Sequence, residues 1–193
     1  MRMRTAVSLS VLAVSAAACS AVDRSAPTAA GFDADGMVMA DLRDGDLAVP
    51  ADYRDWPVYL ADLDKVEAKQ IRDIYMNPIG HTTEEGGEFP HGTASVMEIW
   101  EPKMSADGEL ETDANGKLVK GELKLVFVMG KSRGAGESVA PELRNGDWVY
   151  AAYGSDGVTP GGPPAAACRT CHLSEEGKDW VFRYDQYFAS RDD

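Results

Sequence analysis

The chain has 193 residues, enough for one domain with a real hydrophobic core and cramped for two. Hydrophobic residues make up 44% and charged residues 26%, an ordinary globular balance. Acidic residues outnumber basic ones 32 to 19, for a net charge of −13. That is the wrong sign for tracking phosphates, so no nucleic-acid partner is expected. Three cysteines are too few for a disulfide framework.

Residues 1–18 read as an export signal. Arg2 and Arg4 give a positive start, Thr5 to Ala18 a short apolar run, and Ala16, Ala17 and Ala18 lead into Cys19. The run is shorter than the roughly 20 residues a bilayer-spanning helix needs. Small residues directly before a cysteine resemble a bacterial lipobox, in which Cys19 would carry a lipid anchor; Ala16 stands where leucine is usual. The other reading is an ordinary cleavage site with a cysteine nearby. Export implies a periplasmic, oxidising setting in which free thiols need a purpose.

Residues 19–46 are rich in Ala, Gly, Asp and Ser without sustained periodicity and read as a flexible tether. Met37 and Met39 keep open the alternative that this segment packs on the domain. The folded part is placed at 47–193. Ala51 to Leu60 suggests a helical turn followed by an extended stretch at Val58–Leu60. Leu63 to Ile71 is helix-capable, with Val66, Ala68 and Ile71 apolar. Ile71 to Met76 is rich in strand formers, and Asn77-Pro78 stops it. Thr93 to Trp100 alternates as a strand, with Thr93, Ser95, Met97 and Ile99 on one face. Gly121 to Met129 alternates likewise, with Leu123, Leu125, Phe127 and Met129 together. Asp147 to Tyr153 is a third strand. The fold class is therefore mainly β (α+β), an antiparallel sheet with short helices.

Cys168-Arg169-Thr170-Cys171-His172 carries the clearest chemistry. Two thiols at this spacing can add to the two vinyl groups of one haem, and the following histidine is then placed to ligate iron from the proximal side. Three other readings compete. A thioredoxin-like redox pair would open a helix within a βαβ unit, and none precedes it. A zinc site would need four ligands, with only His81 and His91 left to supply histidines. A simple disulfide is the third. Export and the adjoining His172 favour one covalent haem c, and the cysteines are then accounted for as one for lipid and two for haem. Leu173 to Asp193 contains neither methionine nor histidine, so a sixth iron ligand comes from upstream or the distal position is open.

With these pieces in hand, the chain resembles the cytochrome P-460 family, which includes the beta-type cytochromes c-prime. The matching pieces are Tyr53-Arg54-Asp55-Trp56, Ile71-Arg72-Asp73-Ile74-Tyr75, Gly92-Thr93, Asp147-Trp148-Val149-Tyr150, the C-x-x-C-H, and Asp179-Trp180-Val181-Phe182 with Tyr184. The resemblance covers roughly residues 50–188. It implies a compact antiparallel β domain, usually dimeric, holding haem through its C-terminal segment. It also implies a distal pocket of one of two kinds. Hydroxylamine-oxidising members carry a lysine cross-linked to the haem on the strand after Gly-Thr, and a distal carboxylate. Here those positions fall on Met97 and Phe127, an aromatic position falls on Ala68, and Arg72 is kept. Methionine cannot form the cross-link and phenylalanine cannot relay protons. The resulting apolar pocket is similar to that of the beta-type cytochromes c-prime and suits nitric oxide or carbon monoxide.

Met97 has a second possible role, because a thioether can ligate haem iron and raise its potential; core filling is the plainer alternative. His81 and His91 sit in a Gly- and Glu-rich loop. Lys124 and Lys131 are the nearest substitutes for the missing lysine. A weaker signal, Glu111-Thr112-Asp113-Ala114-Asn115-Gly116 with Glu122, overlays a calcium loop but reads more simply as an Asn-Gly hairpin turn. The sequence thus predicts an exported mono-haem c cytochrome that binds a diatomic gas or passes single electrons to a periplasmic redox partner. The site residues are Cys168, Cys171, His172, Met97, Phe127 and Arg72, with His172 as the iron's proximal ligand. Hydroxylamine or nitric oxide oxidation is the enzymatic alternative, and a non-haem metal-binding lipoprotein the third. The alternating strands and the glycine content argue against a four-helix cytochrome c-prime.

Overall fold

The computed structural model describes residues 29–191. The leader, Cys19 and the start of the expected tether lie outside the described residues. Among the described residues no helix is long and apolar enough to cross a membrane.

Five strands make one antiparallel sheet in sequence order: β1 (Val58–Lys65), β2 (Gln70–Met76), β3 (Ala94–Pro102), β4 (Lys120–Lys131) and β5 (Trp148–Gly154). Two short helices follow, α1 (Ala165–His172) and α2 (Tyr184–Ala189). The chain is mainly β, as the alternation in its sequence indicates. Register makes the alternation spatial. Ile74 lies opposite Met97, Met97 opposite Phe127, and Phe127 opposite Ala152, giving one row across four strands. The flanking rows are Met76–Ser95–Met129–Tyr150 and Arg72–Ile99–Leu125. All three rows share one face, because side chains two apart on a strand point the same way.

The helix expected over Leu63–Ile71 is not there. β1 runs on to Lys65, a single 3-10 turn (Val66–Ala68) reverses the chain, and β2 starts at Gln70. Lys69 takes the left-handed conformation at φ 49° that such a tight reversal needs. Register shifts along β1 on either side of Leu60 broke the alternation that would have marked the strand. The Glu111–Glu122 stretch is a hairpin. Thr112 bridges Leu118, and the Asp113 carboxylate accepts the Asn115 and Lys117 N–H groups at 2.8 and 2.9 Å. No group of three or more His, Cys, Asp or Glu side chains converges among the described residues.

The tether reading is corrected over residues 29–46, which pack on the sheet face opposite the three rows. Phe32, Val38 and Leu47 are buried there among Val96, Val126, Val128 and Val149. Contact is close enough that a Cβ on Gly130 of β4 would meet Val38 at 2.7 Å and Leu47 at 2.9 Å. Backbone bonds fix the segment, Val38 to Gly92 and Asp41 to Arg133, each at 3.0 Å. Buried Asn77, which ends β2, donates to the Gly36 and Gly92 carbonyls and accepts the Ala94 N–H.

The same segment reaches α1. Asp44 receives Arg169 Nε at 2.8 Å and Nη2 at 2.9 Å, and accepts the Tyr150 N–H at 3.0 Å. Arg169 also donates to the Trp148 carbonyl and lies over the Tyr150 ring. Its side chain is 2% exposed, so loss of Asp44 would leave a guanidinium buried without its countercharge. Asp44→Ala is therefore expected to cost about 3 kcal/mol in urea unfolding, with α1 fraying first under hydrogen exchange. A loss below about 1 kcal/mol would show that the pair behaves as a surface ion pair.

Candidate haem site

α1 presents the C-x-x-C-H. Pro164 precedes it in an extended conformation, and Ala165-Ala166-Ala167 are strong helix formers that start it cleanly. Cys168 and Cys171 are three apart and Cys168 and His172 four apart, so all three lie along one side of the helix. That side faces the sheet across a cavity of about 540 Å³. Its lining includes Cys168, Cys171 and His172 from α1, Met97 from β3, Phe127 from β4 and Arg72 from β2. The six residues singled out in the sequence are thus brought to one cavity.

The surroundings of His172 leave one ring nitrogen free to face the cavity. The His172 Nδ1–H donates to the Trp180 carbonyl at 2.6 Å, which leaves the Nε2 lone pair as the available donor. Burial pushes its pKa below the usual value and favours the neutral imidazole that a metal requires. Tyr150 and Phe182 rings flank it at 5.1 and 4.9 Å between centroids. Both cysteine thiols are free of disulfide. Burial, helped by the Asp44 carboxylate, raises the Cys168 pKa. A thioredoxin-like pair needs the opposite shift and a cysteine at the helix start, whereas Cys168 is the fourth residue of α1.

The wall facing α1 is apolar. Ile74, Met97 and Phe127 form its middle row, with Ile99 beside them. Arg72 donates to Gln70 Oε1 through Nε at 3.2 Å and Nη2 at 2.8 Å, and burial lowers its pKa. Ala68 also lines the cavity. Two lining cations went unnoticed in the sequence: Lys65 at the end of β1 and Arg183 just before α2. The hairpin between β1 and β2 carries Lys65 to the cavity, and a helix expected over that turn concealed it. Among the described residues, no Asp or Glu lines the cavity.

The other sequence candidates are elsewhere. His81 is bonded to the Tyr187 hydroxyl at 2.7 Å, and His91 to Asp147 at 2.7 Å. Lys124 pairs with Glu101 and Glu122 on the surface, and Lys131 is buried against Asp179. None of the four lines the cavity.

The residues present fit a haem. Paired thiols can bond a haem's two vinyl groups, a neutral imidazole can donate to its iron, and the remaining wall suits a flat apolar ring. Lys65, Arg72 and Arg183, with no carboxylate among them, complement the two carboxylates a haem carries, although the chain as a whole is strongly acidic. The Tyr150 hydroxyl is buried against the same cavity without a partner.

A search of curated proteins returned no match. The family model described as Cytochrome P460 matches residues 50–183. The match takes in the whole sheet, α1 with its motif and the Asp179–Phe182 loop. Because it spans more than half of the chain in a single stretch, the chain belongs to the cytochrome P460 family, a family of haem cytochromes.

Proposed function

We propose that this is an exported mono-haem c protein whose haem is joined to Cys168 and Cys171, with His172 as the proximal ligand, and that it binds a small neutral diatomic gas such as nitric oxide or carbon monoxide. The observation that carries the reading is the Ile74–Met97–Phe127 row, which faces the haem-motif helix with no lysine on β3 and no carboxylate among the cavity's lining residues. A haem bound there supplies an iron able to take a gas or one electron.

The chain's own residues divide the remaining work. His172 offers Nε2 while the Trp180 carbonyl retains the proton on Nδ1. Met97 and Phe127 would keep water from a haem held in the cavity, and such an apolar wall favours neutral ligands over charged ones. Arg72, Lys65 and Arg183 would neutralise the haem carboxylates. Hydroxylamine oxidation requires proton removal, and the lining offers no carboxylate base for it. A second reading rests on Met97 itself. Its thioether lines the cavity that His172 lines, so it could close the sixth position and make the protein an electron carrier.

Carbon monoxide added to the reduced protein is expected to shift the absorption spectrum of a high-spin haem. A six-coordinate low-spin spectrum indifferent to carbon monoxide, converted to high-spin by Met97→Ala, would instead establish the electron-carrier reading.

Attachment is tested separately. Acid-acetone extraction should leave haem on the wild-type chain and remove it from Cys168→Ala/Cys171→Ala. The haem peptide's mass should account for two thioether links. A third covalent link would restore the hydroxylamine-oxidase reading, and a colourless protein from a host competent in haem c maturation would exclude haem altogether.

A further inference from the structure

His172 depends on a loop that is held in an unfavourable conformation. The Trp180 carbonyl accepts its Nδ1–H, and Asp179 and Trp180 are consecutive non-glycine residues in the left-handed region, at φ 51° and 55°. That region is unfavourable for a residue with a Cβ, so the surroundings must impose the conformation. Asp179 is where they do so. Its side chain is 1% exposed, and its carboxylate accepts Lys131 Nζ at 2.9 Å, the Phe89 N–H at 2.8 Å and Trp148 Nε1 at 3.4 Å. These donors belong to β4, to the loop before β3 and to β5. Trp180 is itself pressed down: a Cβ on Gly146 would meet its ring at 2.7 Å.

A buried ion pair is a weak device for stability, since apolar residues of similar volume often do as well. Lys131 is 6% exposed, and its other carboxylate neighbour, Glu88, stands 3.4 Å away on a side chain that is 80% exposed. Nothing about sheet packing requires a lysine and an aspartate here. A positional role accounts for them, because Asp179 directly precedes Trp180, whose carbonyl sets the histidine.

We infer that Asp179 and Lys131 are positioning residues for the haem-binding histidine: by fixing the Asp179–Trp180 reversal to β4 and β5, they hold the Trp180 carbonyl on His172 Nδ1 and so set the electron-donating strength of His172 toward iron. This rests on the proposed role of His172. A firmly held Nδ1–H···O=C bond makes the imidazole a stronger donor and stabilises the oxidised metal. Loosening it must favour the reduced form.

The test uses full-length protein matured with haem, as wild type, Lys131→Gln and Asp179→Asn. Asp179→Asn keeps the shape and the acceptor for Phe89; Lys131→Gln leaves the aspartate its other two donors and stands in if Asp179→Asn does not fold. Two readouts go beyond stability: the reduced-to-oxidised ratio at a fixed ambient potential, and solvent exchange of the His172 Nδ1–H in the ferric protein by NMR. The ratio is expected to rise by roughly threefold or more, and the exchange to quicken, in each variant that retains haem. Variants that retain haem, lose thermal stability and leave both readouts at wild-type values would show a merely structural pair and overturn the inference. His172→Ala separates the two levels. If its spectrum is that of wild type, His172 is not the ligand, and the proposed function fails together with this inference.

Discussion

The guanidinium of Arg169 is the joint on which the rest of the molecule depends. It is almost completely buried, so it must be paired where it stands. Asp44 satisfies Nε and Nη2, and the Trp148 carbonyl accepts from Nη2 as well. One side chain thus ties three pieces together: the N-terminal segment that covers one face of the sheet, the first residue of β5, and α1 over the other face. An eight-residue helix has little stability of its own. α1 exists as an ordered surface because it is docked this way. Arg169 lies between Cys168 and Cys171, so the docking contact and the haem motif share one turn of helix, and the thiols inherit their placement from the ion pair.

The sheet has two faces with different tasks, and strand parity keeps them apart. Val96 and Glu98 point away from the cavity, while Met97 between them points into it. Glu98 is buried on the far face, where it accepts the Tyr53 hydroxyl at 2.5 Å and Trp100 Nε1 at 3.1 Å and pairs with Arg54. That network secures the Tyr53–Asp55 turn before β1 against β3. The Tyr53 pKa is raised above its normal range by burial and by the adjoining carboxylate. A shift of β3 by a single residue would place Glu98 in the cavity and Met97 against Tyr53, exchanging an apolar wall for an acidic one. The buried carboxylate therefore fixes the register that gives the cavity its character.

Much of this was legible in the residues. The alternation in Thr93–Trp100 and Gly121–Met129 placed Met97 and Phe127 on the faces they occupy, and the C-x-x-C-H located the helix side that meets them. What was hidden was carried by backbone. Residues 29–46 are rich in Ala, Gly and Asp, yet they dock through main-chain bonds to Gly92 and Arg133 and through two buried apolar side chains, Phe32 and Val38, which composition alone does not reveal. The β1–β2 reversal was hidden because Leu63–Ile71 is helix-capable in composition, while the deciding event is a left-handed Lys69. The Trp180 carbonyl could not be found from side-chain types at all. Its only trace in the sequence is Asp179-Trp180, a pair with no evident surface role that directly follows the haem motif's helical turns.

The charges in the cavity lead to one more consequence. Lys65, Arg72 and Arg183 are the lining groups with a formal charge, and all are cations in a chain with a net charge of −13. On the proposed reading the two haem carboxylates offset two of these charges, and one positive charge remains at the margin of an apolar wall. Arg72 is the natural donor to a distal ligand, because its row adjoins that of Met97 and Phe127. Its Nε and Nη2 are both directed to Gln70, however. Nη1 and the second Nη2 proton lie outside that contact, so the guanidinium keeps donors that the Gln70 pair does not use. On the proposed reading, the Gln70–Arg72 contact holds the guanidinium beside the apolar row.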